Sequence, residues 1–495
     1  MSTFAKANDD LLSSNFLAKG QPRNEGSIMF AEVVVDSYQD PTKRLFTYQV
    51  PENLVNSVKE GKKVVAPFGK RVIEGYIWSI TSKRPPFPTK PIQAIKGPGF
   101  SQTQLKLAKW MSERYLASPL DCLKCQIGGK GEKFSSGPSE RITTLILVPY
   151  ASQVRLRAAT NNQKNTLIGS RSAVFAPLPN LQKIVVEEPE NWNYKDERTP
   201  YYHAAEVAEK RAEIENLQVE LRPQNPKIKP CRVIDLGREK LAGNFTLVSQ
   251  PLEDTLLRSK ITTEEAKLIG STKLSRPTER NKGSTIVYVN SRELREKIEE
   301  ELQKIGADKN SYEIAGPELF SALGKEAHYT VWADVDTLLN LPDFRAHEKI
   351  VWTVKKLSQI TLEQVLLQTS FPQNPLFADL AAGNLEEFHR REQENRQELG
   401  YPPFTTLVKL TFSAKNSAKA NLEAEKLSEN LENLDSQLII SPPYESYSKI
   451  PGKAQINIAI KLALQPKAGR PWVGAKLAKV VPPDWKVEVD PESLL

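Results

Sequence analysis

Residues 183–195, KIVVEEPENWNYK, hold an apolar run that ends in acid: Ile184, Val185 and Val186 are followed by Glu187, Glu188 and Glu190, with Pro189 among them. A short β-branched run bounded by turn formers predicts a buried strand, KIVVEE. In many nucleotide-driven motors an apolar strand ending in adjacent carboxylates holds magnesium and the attacking water, so this stretch raises the question of ATP hydrolysis. Outward from it, TTLILVPY (143–150) and NTLIGS (165–170) read as further strands, and HAAEVAEKRAEIENLQ (203–218) as a helix. Strands alternating with helices indicate a parallel α/β sheet. The alternation resumes at GSTIVYVNSRELREKIEEELQKI (283–305) and HYTVWADV (328–335), which predicts a second α/β unit between about 250 and 370.

The flanks differ. FAEVVVDS, RLFTYQVP, GKKVVAPF and RVIEGYIWSI, between 30 and 80, are short, rich in β-branched and aromatic residues, and separated by turn signals such as QDPTK and VKEG. They predict a compact all-β unit. KRPPFPTKP (83–91) reads as a proline-rich connector, and SQTQLKLAKWMSERYLASPLDCLKCQI (101–127) has helical spacing with Ser101 as its cap. GGKGEKFSSGPSER (128–141) reads as a linker, and NLEEFHRREQENRQELG (384–400) as a charged helix stopped by GYPPF. TLVKLTFSA, AKANLEAEKLSENLENL, QINIAIKLAL and WKVEVD then predict an α+β unit. The expected plan is a multidomain α/β chain: a loose arm (1–28), a β-domain (29–97), a helical segment and linker (98–140), two α/β units (141–250 and 251–399) and an α+β unit (400–495).

With 68 Lys and Arg against 60 Asp and Glu, the net charge is +8 over 495 residues. Residues 41–96 alone hold eleven Lys and Arg against three acids, which equals the whole excess. Such a module, with Phe46, Tyr48, Phe68, Tyr76 and Trp78, suits nucleic acid, because cations neutralise phosphates and aromatic faces stack on bases. A small barrel with an aromatic core and a solvated basic face would share that composition.

Other chemistry finds little support. A phosphate cradle needs a Gly-rich loop ending in Gly-Lys-Ser/Thr. Neither GGKGEKFSSG, STKLS (271–275) nor NKGST (281–285) supplies one. Cys122 and Cys125 form a CxxC, but Cys231 and the single histidines His203, His328, His347 and His389 do not complete a four-ligand zinc pattern, and no metal site is expected. There is no GxSxG elbow and no HExxH. Neither a membrane-length apolar run nor a secretory leader is recognisable, and three cysteines fit a reducing compartment, so a cytoplasmic protein without membrane partners is expected.

Several segments together resemble one family, the replication restart DNA helicase PriA, or primosomal protein N′. They are NTLIGSRSAVFAPLPNLQKIVV (165–186), YK and PYYHAAEVAEKRA (194–212), LNLPDFRAHE (339–348), GYPPF (400–404) and EVDPESLL (488–495), with RLFTYQVP and VVAPFG nearer the amino end. The resemblance implies a 3′ DNA-binding domain, a winged helix reduced to a remnant at 98–140, two RecA-like lobes and a carboxyl-terminal domain. Where the family carries its phosphate loop this chain has only the linker, STIVYVNSRELREKIEEELQ joins the sequences that flank the family's zinc module, and KKLSQI (355–360) stands where γ-phosphate arginines would be. Glu187, Glu188, Pro189 and Glu190 occupy the Asp-Glu-Glu-His positions and read as a vestige. The lobes are therefore expected to be degenerate, with no catalytic residue, no bound ATP or zinc, and no helicase activity. In the family a pocket of an aromatic, an aspartate, a glycine and a lysine receives a free 3′ end; the matching positions are Phe46, Thr47, Gly69 and Lys90, with Lys62, Lys63, Lys70 and Arg71 as further DNA-binding cations. The implied partners are DNA (replication forks, D-loops, single-stranded 3′ ends), primosome and replisome proteins, and single-stranded DNA-binding protein, and the implied location is the nucleoid. A divergent helicase and a purely protein-binding primosome scaffold are the alternatives.

Overall fold

A computed structural model describes residues 29–35, 45–127, 141–160, 164–223, 228–235, 285–304, 309, 312–321, 325–434, 438–446, 452–463 and 473–495. The whole of the expected arm, the turn QDPTK, all but the last residue of the linker, the stretch STKLS and all but the last residue of NKGST lie outside the described residues, as does the boundary expected near 250.

The chain divides into two compact units, the first containing 45–100 and the second 101–495. In the first, β1 (Phe30–Val35), β2 (Leu45–Gln49), β3 (Lys63–Phe68), β4 (Arg71–Thr81) and β5 (Ala94–Ile95) form an antiparallel sheet in the order β2-β1-β4-β3-β5. The expected all-β unit is present. Segment 90–96 closes it: Gln93 N donates to Val65 O on the β3 side, while Gln49 N donates to Lys90 O and Ile92 N to Gln49 O on the β2 side. The sheet therefore curls into a small barrel around Ala31, Val33, Val64, Ala66, Ile77 and Ile92. Gly75 permits the tight β1–β4 approach, since a Cβ there would lie 2.6 Å from Val33 Cγ1, beside the register shift at Glu32 and Val33.

The second unit holds three sheets. β6 (Thr144–Leu147), β7 (Thr166–Gly169), β8 (Lys183–Glu187) and β9 (Gln218–Arg222) are parallel, in the order β7-β6-β8-β9. Helix Ala204–Glu215 covers this sheet with small side chains, Ala204, Ala205, Ala208 and Ala212 being buried. β10 (Arg232–Asp235), β11 (Thr285–Tyr288), β12 (Tyr312–Ala315), β13 (Ala327–Trp332) and β14 (Thr361–Thr369) form a second parallel sheet, β10-β14-β13-β11-β12. β10 comes from the segment expected in the first α/β unit, yet it pairs with β14 of the second. Val233 and Ile234 gain partners in Leu367 and Gln368 there, whereas β9 already ends the first sheet. The changeover thus falls between 222 and 232. The last sheet is antiparallel and mixed with helices Ser417–Glu432 and Val473–Val480: β15 (Thr405–Ala414), β16 (Ile439–Ile440), β17 (Tyr444–Glu445), β18 (Ala454–Ala463) and β19 (Lys486–Val489).

Helix Gln102–Arg114 opens with the expected cap: Ser101 Oγ accepts from Gln104 N and Gln104 Oε1 from Ser101 N, a reciprocal box. The CxxC cysteines sit in and just after helix Pro119–Lys124; Cys125 Sγ points to Cys122 O at 3.2 Å, and burial raises its pKa well above the usual thiol range. Among the described residues no helix is long and apolar enough to cross a membrane.

Candidate nucleic-acid interface

Four of the eight residues singled out for DNA binding meet at the β3–β4 hairpin, and a fifth reaches it. The turn needs φ +59 at Gly69, a left-handed conformation that glycine adopts without steric cost, and a Cβ there would meet only open space. Lys90 Nζ lies 3.5 Å from Gly69 O. Its backbone is held in place because Lys90 O accepts from Gln49 N and Pro91 bridges to Gln49. Phe46, half-buried at the rim of the core, meets Phe68 edge-on with centroids 5.1 Å apart, directly before Gly69. Lys70 and Arg71 complete the hairpin and are exposed. Tyr48 OH donates to Pro67 O at 3.1 Å, pinning β2 across the barrel to β3; burial pushes its pKa up.

The other three stand apart. Alternation along β2 turns Thr47 away from Phe46, so that it faces Glu32 on β1, whose carboxylate accepts from Ser79 Oγ at 2.5 Å. Lys62 and Lys63 lie at the opposite end of β3, five residues or roughly 17 Å from Phe68. Lys63 is committed to the fold: its Nζ is 2.5 Å from Glu74, which Lys96 also holds at 2.7 Å. Hydrogen bonds from Lys63 and then Lys96 lower the Glu74 pKa to about 2. Lys62 and Lys63 thus stand at the opposite end of β3 from Lys70, Arg71 and Lys90. An aromatic residue that sequence reasoning passed over is Phe87, exposed in the connector between Lys83 and Lys90; its position among prolines was the available signal.

The acidic end of β8 belongs to the second unit. Glu187, its last residue, takes Arg157, with Arg222 at 3.9 Å. Glu188 follows with φ +52 and a side chain that turns inward; it is 4% exposed. It accepts from Asn191 Nδ2 at 3.0 Å and from Lys356 Nζ at 2.5 Å. Lys356 lies on helix Ala346–Ile360, which packs on the second parallel sheet, so the pair crosses from one α/β unit to the other. Trp192 and Trp352 pack beside it, centroids 3.9 Å apart, and Tyr150 and Trp192 extend the second unit's core. Burial pushes the Tyr150 hydroxyl up to about 12. KKLSQI, read as an emptied motif, thus contains the cation that neutralises Glu188. Pro189 is half-buried in the turn and Glu190 is exposed.

Several of the second unit's segments that carry the family resemblance meet in space. Lys195 Nζ, buried, donates to Val489 O at 2.6 Å and Asp490 O at 3.0 Å, and burial lowers its pKa. Arg114 joins Glu206 and Asp490, both at 2.6 Å, and Arg345 reaches Glu492 at 3.1 Å. Phe344 stacks on Tyr401 at 5.0 Å. These scattered islands line the seams between the three sheets of the second unit.

A family model described as the 3′ DNA-binding domain (3′BD) matches residues 32–127. The chain is 25% identical over 363 residues to the replication restart protein PriA of Bacillus subtilis, covering 53% of this chain and 45% of that protein. It is 23% identical over 379 residues to PriA of Chlamydia muridarum, covering 55% and 50%, and 23% over 381 residues to PriA of a Synechocystis species, covering 55% and 45%. The chain spans about half the length of these curated relatives. The chain is therefore similar to PriA proteins over about half of its length, with the 3′ DNA-binding-domain match toward its amino-terminal end.

Proposed function

We propose that this chain is a replication restart protein that holds branched or single-stranded DNA through the β3–β4 end of its barrel and promotes primosome assembly without hydrolysing ATP. The observation that carries the DNA reading is the convergence of Gly69, Lys70, Arg71 and Lys90 on one hairpin beside the Phe46–Phe68 pair. Cations there neutralise phosphates, and a glycine turn lets a strand end approach the backbone closely. In this reading, helices Gln102–Arg114 and Pro119–Lys124 are the winged-helix remnant, and the two parallel sheets are degenerate RecA-like lobes. Forks, D-loops and 3′ ends are the DNA partners; primosome and replisome proteins are recruited to them.

The acid pair does not fit a magnesium site. A metal would compete with partners already in place: Lys356 and Asn191 both hold Glu188 Oε2, and Arg157 holds Glu187 Oε2. Phosphoryl transfer depends on positioning and charge neutralisation around the γ-phosphate, and this site's cations are spent on its own carboxylates. Purified protein mixed with forked DNA and ATP should release no phosphate above a protein-free control. DNA-stimulated turnover that copurifies with the chain would sink the non-catalytic part of the reading.

A further inference from the structure

Segment 82–90 leaves β4 at one end of the barrel and returns to the Gly69 hairpin, and it carries Lys83, Arg84, Pro85, Pro86, Phe87, Pro88 and Lys90. Phe87 is 53% exposed, although nothing in the barrel core requires a benzyl group to be held in water. The segment itself is cationic: no Asp or Glu occurs between Glu74 and Glu113, while Lys83, Arg84 and Lys90 lie within seven residues of one another around Phe87. The segment is fastened at both ends, by Lys83 N donating to Thr81 Oγ1 at 3.1 Å and by Gln49 N donating to Lys90 O at 3.0 Å. Between these anchors, prolines fix their own φ, and Pro88 disfavours helical backbone at Phe87. The ring is therefore presented with little conformational entropy left to lose on binding. Three residues separate Phe87 from Lys90, a reach of at most about 10 Å.

We propose that Phe87 is a base-stacking platform for single-stranded DNA, engaging an unpaired base next to the strand segment held at Lys90 and Gly69. This rests on the DNA-binding reading of the barrel and adds to it a second, aromatic contact outside the hairpin. An aromatic face accepts any base, so the contact is indifferent to sequence but requires a base that is out of a duplex. The charge along the segment decides the occupant: a lone exposed benzyl on a stretch that carries Lys83, Arg84 and Lys90 and no acid complements a polyanion that carries π-faces.

The test uses the full chain and a fluorescent oligonucleotide with a 3′ single-stranded tail, titrated at several salt concentrations. Phe87→Ala should weaken binding about 5- to 150-fold, the range of one lost stack. Phe87→Trp should retain or tighten it. The dependence of log Kd on log salt should not change in Phe87→Ala, whereas losing one phosphate contact lowers that slope by about 0.7. The wild-type chain should lose the same factor on a tail with abasic positions, and Phe87→Ala should be indifferent to them. Wild-type binding that survives Phe87→Ala unchanged overturns the stacking role while leaving the hairpin reading intact, as does equal sensitivity of both proteins to abasic positions. Absence of any wild-type binding overturns the hairpin reading, and the stacking proposal falls with it.

Discussion

Lys356 Nζ lies 2.5 Å from Glu188 Oε2, and both side chains are buried although they come from different α/β units of the chain. Removing one member of such a pair leaves an uncompensated charge in a low-dielectric interior, which typically costs about 3–5 kcal/mol. Lys356→Met should therefore lower the denaturation midpoint of the second unit sharply. The double variant Lys356→Met with Glu188→Gln should recover much of the loss. A double-mutant cycle in urea checks this; additive effects would mean that the pair does not couple the two units.

Acidification should act through His203. Burial, with help from Lys195, lowers its pKa from 6.5 to about 4, so the folded state holds it neutral where the unfolded chain would protonate it. The resulting stabilisation is fully present above pH 6.5 and is lost as pH falls towards about 4. The span corresponds to roughly 3 kcal/mol. His203→Gln should flatten the stability profile between these limits without abolishing the slope, because burial lowers His347 and His389 as well. Midpoints measured from pH 7 to pH 4 for both proteins test it.

The two rims of the barrel should separate in a salt titration. Neutralising Lys70, Arg71 and Lys90 should weaken DNA binding and lower the salt slope by about 0.7 for each lost single-strand phosphate contact. Lys63→Ala should leave that slope unchanged, because its ammonium serves Glu74. A slope that drops equally in both variants would contradict the placement.

At Gly69 the added Cβ meets nothing, so Gly69→Ala isolates the backbone term. A left-handed conformation costs an alanine about 1–2 kcal/mol, and the variant should lose about that much stability while keeping the barrel's spectrum. A neutral outcome in thermal denaturation would show that the turn relaxes.

Much of this fold was legible because local periodicity declares it: the β-branched run at 184–186, the alternation of strands and helices after 143, and the reciprocal cap at Ser101 and Gln104 are all short-range signals. β10 escaped because its identity depends on β14, more than a hundred residues later, and Arg232–Asp235 has no pattern that names its sheet. The same holds at the sites. Gly69 and Lys90 could be matched by position, but the far-rim location of Lys63 follows from strand direction, and only pairing reveals it. Lys356 looked like the residue of a lost motif; its one sequence signal was a lysine four residues after Trp352, on a helix with a broad buried face. The acid of Glu188 gave no sign that a lysine 168 residues away would meet it.

Whether the hairpin end of the barrel holds DNA is decided by one titration. Fluorescence anisotropy of a labelled model fork, with and without a leading strand ending at the junction, is measured at near-physiological salt for the wild-type chain and for the Lys70→Ala, Arg71→Ala, Lys90→Ala triple variant. Saturable wild-type binding to both forks is expected, with a loss of about tenfold or more in the triple variant and an unchanged thermal midpoint. Equal affinity of the two proteins, or no binding by the wild type, would contradict it.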